Sequence, residues 1–122
     1  MIVGIGTDIC KISRMRRAVQ NKRFIERLFS EEEIEYAHSG GDSAEHFAGA
    51  FAAKEALAKA TGLGMFGIGL TNASVRRTES GPIIVCGGDL QEKLEALGAD
   101  KCWLSLSHDG DYAIAFVVLE KN

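Results

Sequence analysis

The chain has 122 residues, 46% of them hydrophobic and 25% charged, with a formal net charge of −3. That length suits one domain around one core, and the composition excludes a disordered tail or a collagen-like chain. No apolar run approaches the ~20 residues needed to cross a membrane, the first residues lack the basic and apolar regions of a signal peptide, and the net charge argues against a general nucleic-acid binder.

In chain order, residues 1–6 form a short apolar run of strand length, with Asp8 following inside GIGTDI. Ser13 is placed to cap a helix running to about residue 20, and residues 23–29 suit a further turn of helix. Ser30 and Glu33 have capping-box spacing, so a short helix is expected to start there and to break at Gly40-Gly41. Asp42 and Glu45 repeat that spacing and open a long helix over about 44–61. Residues 62–69 are glycine-rich. Gly62, Gly64 and Gly67 match G-x-G-x-x-G, but a helix precedes them where a dinucleotide fingerprint needs a strand, so they read as a C-cap and a loop. Strands follow over 70–77 and 82–86, turned at Ser80-Gly81, and an amphipathic helix over 89–97 ends at Gly98. A hairpin closes the chain, with strands over 102–107 and 112–119 turned at Asp109-Gly110. This pattern predicts a single α+β domain spanning 1–122, a small antiparallel sheet packed with a long buried helix and shorter helices.

Three elements carry chemistry. Eleven of the fourteen residues from 47 to 60 are Ala, Gly, Phe or Leu, the exceptions being Lys54, Glu55 and Lys59. A helix small or apolar on every side is buried or tightly flanked, and ions there need a partner. Glu55 and Lys59 read either as an ordinary i,i+4 pair, worth ~0.2–0.5 kcal/mol, or as part of a site holding Mg²⁺ and phosphate, with carboxylate on metal and lysines on phosphate oxygens. Asp8 likewise reads as a turn residue or as a second metal ligand. His108 sits beside the last turn, where it is either structural or in contact with an anion. Finally, residues 11–27 hold seven bases, Lys11, Arg14, Arg16, Arg17, Lys22, Arg23 and Arg27, against Glu26 alone. That segment carries +6 and leaves −9 for the remainder, which points to an acidic partner. The three separated cysteines, Cys10, Cys86 and Cys102, suit reduced thiols rather than a disulfide framework or zinc site, as expected in the cytoplasm.

The GIGTDI start, the FAAKEALAKATG helix and the closing WLSLSHDGDYAIAFVVLE together resemble the bacterial holo-acyl-carrier-protein synthases, small 4′-phosphopantetheinyl transferases, over essentially the whole chain. The resemblance implies transfer of the phosphopantetheine arm of coenzyme A to a serine of apo-acyl carrier protein, as fatty acid biosynthesis requires. It implies Mg²⁺ held by Asp8 and Glu55, Lys54 and Lys59 flanking that Glu as phosphate contacts, and His108 near the adenosine phosphates of coenzyme A. Asp8, Glu55 and Lys59 become the catalytic residues, with the general base left open between Glu55 and a metal-bound water. Arg14 and Arg17 become contacts for the carrier protein. A cytoplasmic homotrimer with active sites between subunits is also implied, with no nucleic acid and no membrane as partner. The chain departs from the family pattern where an arginine commonly stands four residues before the KEA lysine, here Ala50. It departs again after His108, where Asp109 replaces the usual Thr or Ser, and it lacks a basic residue between Gly81 and Pro82. The first two changes remove groups suited to an anionic phosphate, for which His46 is the candidate substitute. A rival reading from another class is a non-catalytic module whose basic helix grips an acidic protein or RNA. A second rival is another magnesium-dependent phosphate-transfer enzyme.

Overall fold

A computed structural model describes all 122 residues. Strand β1 (Ile2–Lys11) leads into α1 (Ile12–Ala18), α2 (Lys22–Leu28) and α3 (Glu31–Ala37). The long α4 (Ser43–Thr61) and short α5 (Gly64–Ile68) follow, then the hairpin β2 (Ala73–Thr78) and β3 (Gly81–Cys86). The chain ends with α6 (Leu90–Ala96), β4 (Lys101–Asp109) and β5 (Tyr112–Glu120). Strands β1, β5 and β4 form an antiparallel sheet in that order, and β2 and β3 form a separate ribbon. The α+β expectation is met. No helix is long and apolar enough to cross a membrane.

The sheet shows why α4 is built from small residues. Alternation along β5 turns Ala113, Ala115, Val117 and Leu119 inward, and α4 lies across them and across β1. On β1 the inward positions include Gly4 and Gly6. A Cβ at Gly4 would fall on the Ala60 carbonyl oxygen, and one at Gly6 on that of Ala56. Backbone therefore meets backbone, a separation that only glycine permits. On α4, Ala48, Ala52, Ala53, Ala56 and Leu57 have no exposure at all.

Several local expectations change. β1 runs five residues beyond Gly6, so Asp8 is a strand residue, opposite Ala115, and not a turn. Ser13 does not cap α1. Instead, the Asp111 carboxylate from the β4–β5 turn accepts from the Ser13 backbone N–H at 2.9 Å and from its Oγ–H at 2.6 Å. The capping box at Ser30 and Glu33 is present. Asp42 caps α4 by accepting from Ala44 N–H, but Glu45 turns to His108 instead of closing a box. Gly62 ends α4 with φ 71°, as its C-cap role requires. The stretch beyond it is not all loop, because α5 forms there and buries Ile68. In the last hairpin Asp109 pairs with Tyr112, so the turn is Gly110-Asp111, one residue later than expected. All three cysteines are free.

Lys54 is the clearest correction. It is wholly buried, and its Nζ–H groups donate to Glu33 Oε1 at 2.7 Å and to the Ala73 carbonyl at 2.6 Å. Glu33 also accepts from the backbone N–H groups of Ser30 and Val75. This pair ties α3, α4 and β2 together. Burial pulls the Lys54 ammonium below its ordinary value, while Glu33 opposes that shift.

Two substitutions test this packing in urea. Gly6→Ala forces the α4 backbone off β1 and should cost about 3 kcal/mol; an unchanged midpoint would mean the helix is not seated there. Lys54→Ala leaves a buried carboxylate uncompensated and should cost ~3–5 kcal/mol. Lys54→Met combined with Glu33→Gln should cost less than that single change, and a larger loss in the double variant would contradict the pairing.

Candidate functional site

Two residues beyond Gly6, Asp8 keeps the same strand face and so points at α4. Glu55 and Lys59 each precede one of the alanines whose carbonyls lie on the strand glycines. The consequence is a cluster at the β1–α4 seam. Lys59 Nζ donates to Asp8 Oδ1 at 3.1 Å and to the Thr7 carbonyl at 3.0 Å. Asp8 is mostly enclosed, with 19% of its side chain exposed, against 56% for Lys59. Burial, and then the charge of Asp8, push the Glu55 carboxyl above its ordinary value, while Lys59 works against both. The two carboxylates thus act on one another electrostatically across the seam. Two carboxylates facing one seam are a fitting oxygen-donor set for magnesium, an ion that commonly takes one or two carboxylates and fills its remaining positions with water and substrate phosphate. No group of three or more His, Cys, Asp or Glu residues is arranged as an all-protein metal cage.

Sequence reasoning grouped Lys54 with this cluster. Adjacent helical residues point about 100° apart, and here that rotation sends Lys54 to Glu33 in the interior. It offers no ammonium to a ligand.

His108 lies elsewhere. It is the penultimate residue of β4, near the start of α4, where its Nε2 is 3.2 Å from Glu45 Oε1. Glu45 and Glu55 are separated by ten helical residues, a rise of about 15 Å. A cleft of about 210 Å³ opens beside His108, lined among others by His46, Gly49, Arg77 and Ser107. The sequence reading missed Arg77. Its only signal was a base on a strand that the pattern ran too early, and nothing local linked β2 to His108. The candidate substitute His46 is engaged: its Nε2 lies 2.9 Å from the Gly40 carbonyl, and its ring packs edge-on to Tyr36.

The basic segment folds into α1 and α2. Arg16 forms a two-pronged pair with Asp42 at 2.9 and 2.7 Å, which fastens α1 to the start of α4 and holds the Asp42 carboxyl below its usual range. Arg14, Arg17, Arg23 and Arg27 are exposed and have no carboxylate partner within the chain. Their surface is free for an acidic partner.

Comparison with known proteins matches residues 4–117 to the 4′-phosphopantetheinyl transferase superfamily. The holo-[acyl-carrier-protein] synthase of Clostridium acetobutylicum is 42% identical over 122 residues, covering 98% of each chain. That of Syntrophotalea carbinolica is 44% identical over 123 residues, covering 98% of this chain and 96% of the relative. Among solved structures, holo-[acyl-carrier-protein] synthase from Neisseria meningitidis superposes with a TM-score of 0.91 at 37% identity, over 99% of this chain and 100% of its own. A holo-(acyl-carrier-protein) synthase from Bacillus anthracis, solved in complex with CoA (3′,5′-ADP), gives 0.81 at 34% identity, over 100% of this chain and 99% of its own. With fold, sequence identity and near-complete coverage in agreement, this chain belongs to the 4′-phosphopantetheinyl transferase superfamily.

Proposed function

We propose that the chain transfers 4′-phosphopantetheine from coenzyme A to a serine of apo-acyl carrier protein, releasing adenosine 3′,5′-bisphosphate. The observation that carries this reading is the Asp8–Glu55–Lys59 cluster at the β1–α4 seam, in a chain similar over its whole length to synthases of that name. A pure docking module has no use for repelling carboxylates beside a lysine.

Each residue has a part in the step. The carrier serine oxygen attacks the phosphorus that bears pantetheine, and the bond from that phosphorus to the bridging pyrophosphate oxygen breaks. Glu55, held above its ordinary value, is suited to take the serine proton, directly or through a water. Lys59, half-exposed and already oriented by Asp8, meets the charge that gathers on the leaving phosphate. Asp8 and Glu55 would hold magnesium, whose bound charge offsets that of the pyrophosphate. Arg14 and Arg17 dock the acidic carrier.

The separation of His108 from the carboxylates supports a homotrimer in which each chain gives its seam to one site and its His108 cleft to the next. The outer face of the sheet favours the same arrangement. Ile5, Ile9, Trp103, Tyr112, Ile114 and Phe116 are exposed there as one apolar surface, a kind of patch that marks an interface. Free thiols fit a reducing cytoplasm.

The direct test mixes the protein with Mg²⁺, coenzyme A and apo-acyl carrier protein and weighs the carrier by mass spectrometry. A gain of one phosphopantetheine is expected, and no gain refutes the reading. Asp8→Asn and Glu55→Gln should each slow transfer by at least about a thousandfold while the melting temperature holds; near-normal rates in either would remove the seam from the chemistry. Arg14→Ala combined with Arg17→Ala should raise KM for carrier about tenfold or more at unchanged KM for coenzyme A. Equal changes in both constants would move docking elsewhere.

A further inference from the structure

We propose that Arg77 grips the 3′-phosphate of coenzyme A in the cleft beside His108; this rests on coenzyme A being the substrate. The cleft beside His108 has one permanent cation, Arg77. Its neighbour Arg76 is paired with Glu32 at 2.7 Å, but Arg77 has no carboxylate partner. Alternation along β2 sends the two side chains to opposite faces. The Arg77 guanidinium lies over the Tyr36 ring, 4.7 Å from its centroid, and the residue lines the cleft.

Helix α4 makes room for it. Arg77 Nη2 is 3.5 Å from where a Cβ on Gly49 would stand, so the guanidinium rests on the bare side of the helix. Ala50, the next residue of the helix, is buried and carries no polar group. The histidines are occupied, His46 by the Gly40 carbonyl and His108 by Glu45. Glu45 opposes an anion, and its carboxylate is turned to the His108 ring, 3.2 Å from Nε2. A rigid fork of donors fits a phosphate monoester, which presents several oxygens and up to two charges. Coenzyme A has one such group, its 3′-phosphate; its other phosphates form the pyrophosphate, the reacting end, assigned to the Asp8–Glu55 seam.

Calorimetric titration with adenosine 3′,5′-bisphosphate and adenosine 5′-phosphate tests this without any turnover. The wild type should prefer the bisphosphate. Arg77→Ala should weaken it about tenfold or more while changing the monophosphate less than about twofold. Arg77→Gln, which keeps the stem against Tyr36, should do the same, so a folding defect in the first variant leaves the second decisive. A preference that survives in both variants, or an equal loss for both nucleotides, overturns the role of Arg77. A wild type with no preference removes the nucleotide from the cleft and Arg77 with it, whereas the carrier mass assay separately decides whether transfer occurs.

Discussion

The structure depends on the contact of helix α4 with strand β1 through bare backbone. Gly4 and Gly6 leave no side chain between the strand and the carbonyls of Ala60 and Ala56. Every other feature of the seam follows from that spacing. The strand face that carries the glycines also carries Asp8, and the helix row that touches them starts one residue after Glu55 and Lys59. Three ionisable groups thus converge without a loop to position them. Sites on regular elements hold geometry well, because neither a strand nor a buried helix bends cheaply.

The same helix separates structure from chemistry at adjacent residues. Lys54 and Glu55 differ by one step of rotation, yet one is locked in the interior and the other opens on the seam. The Lys54–Glu33 pair joins α3 and β2 to the back of α4. That tie keeps the helix from rolling, which would carry Glu55 away from Asp8. An ion pair buried at this cost adds more to specific orientation than to net stability. At the helix start, Arg16 on Asp42 fixes the register of the basic α1 surface relative to the seam.

Periodicity made the strands, the long helix and the closing hairpin legible, and capping chemistry correctly marked the starts at Ser30 and Asp42. What failed was non-local. Ser13 had the form of a cap, but its partner is Asp111, which meets it only once β5 returns beside β1. Lys54 resembled a ligand because spacing alone does not show which side of an all-small helix faces α3. Arg77 passed unnoticed because its relation to His108 is made by the packing of β2 across α4. Glycines beyond Gly62 suggested a loop, yet Ile68 buries itself and draws a short helix from them. Asp8, Glu55 and Lys59 were singled out from residues and resemblance together, and that they meet at one seam was visible only in the fold.

The charge of the chain acquires a layout in the same way. A net −3 resolves into a basic α1–α2 surface, a carboxylate pair at one end of α4 and a lone guanidinium near the other. The central claim, that the seam brings Asp8 and Glu55 together as one electrostatic unit, is tested most directly by NMR titration of the Glu55 carboxyl in the wild type and in Asp8→Asn. The account predicts a wild-type midpoint above the ordinary glutamate value that falls when the Asp8 charge is removed. An identical midpoint in the two proteins would contradict it.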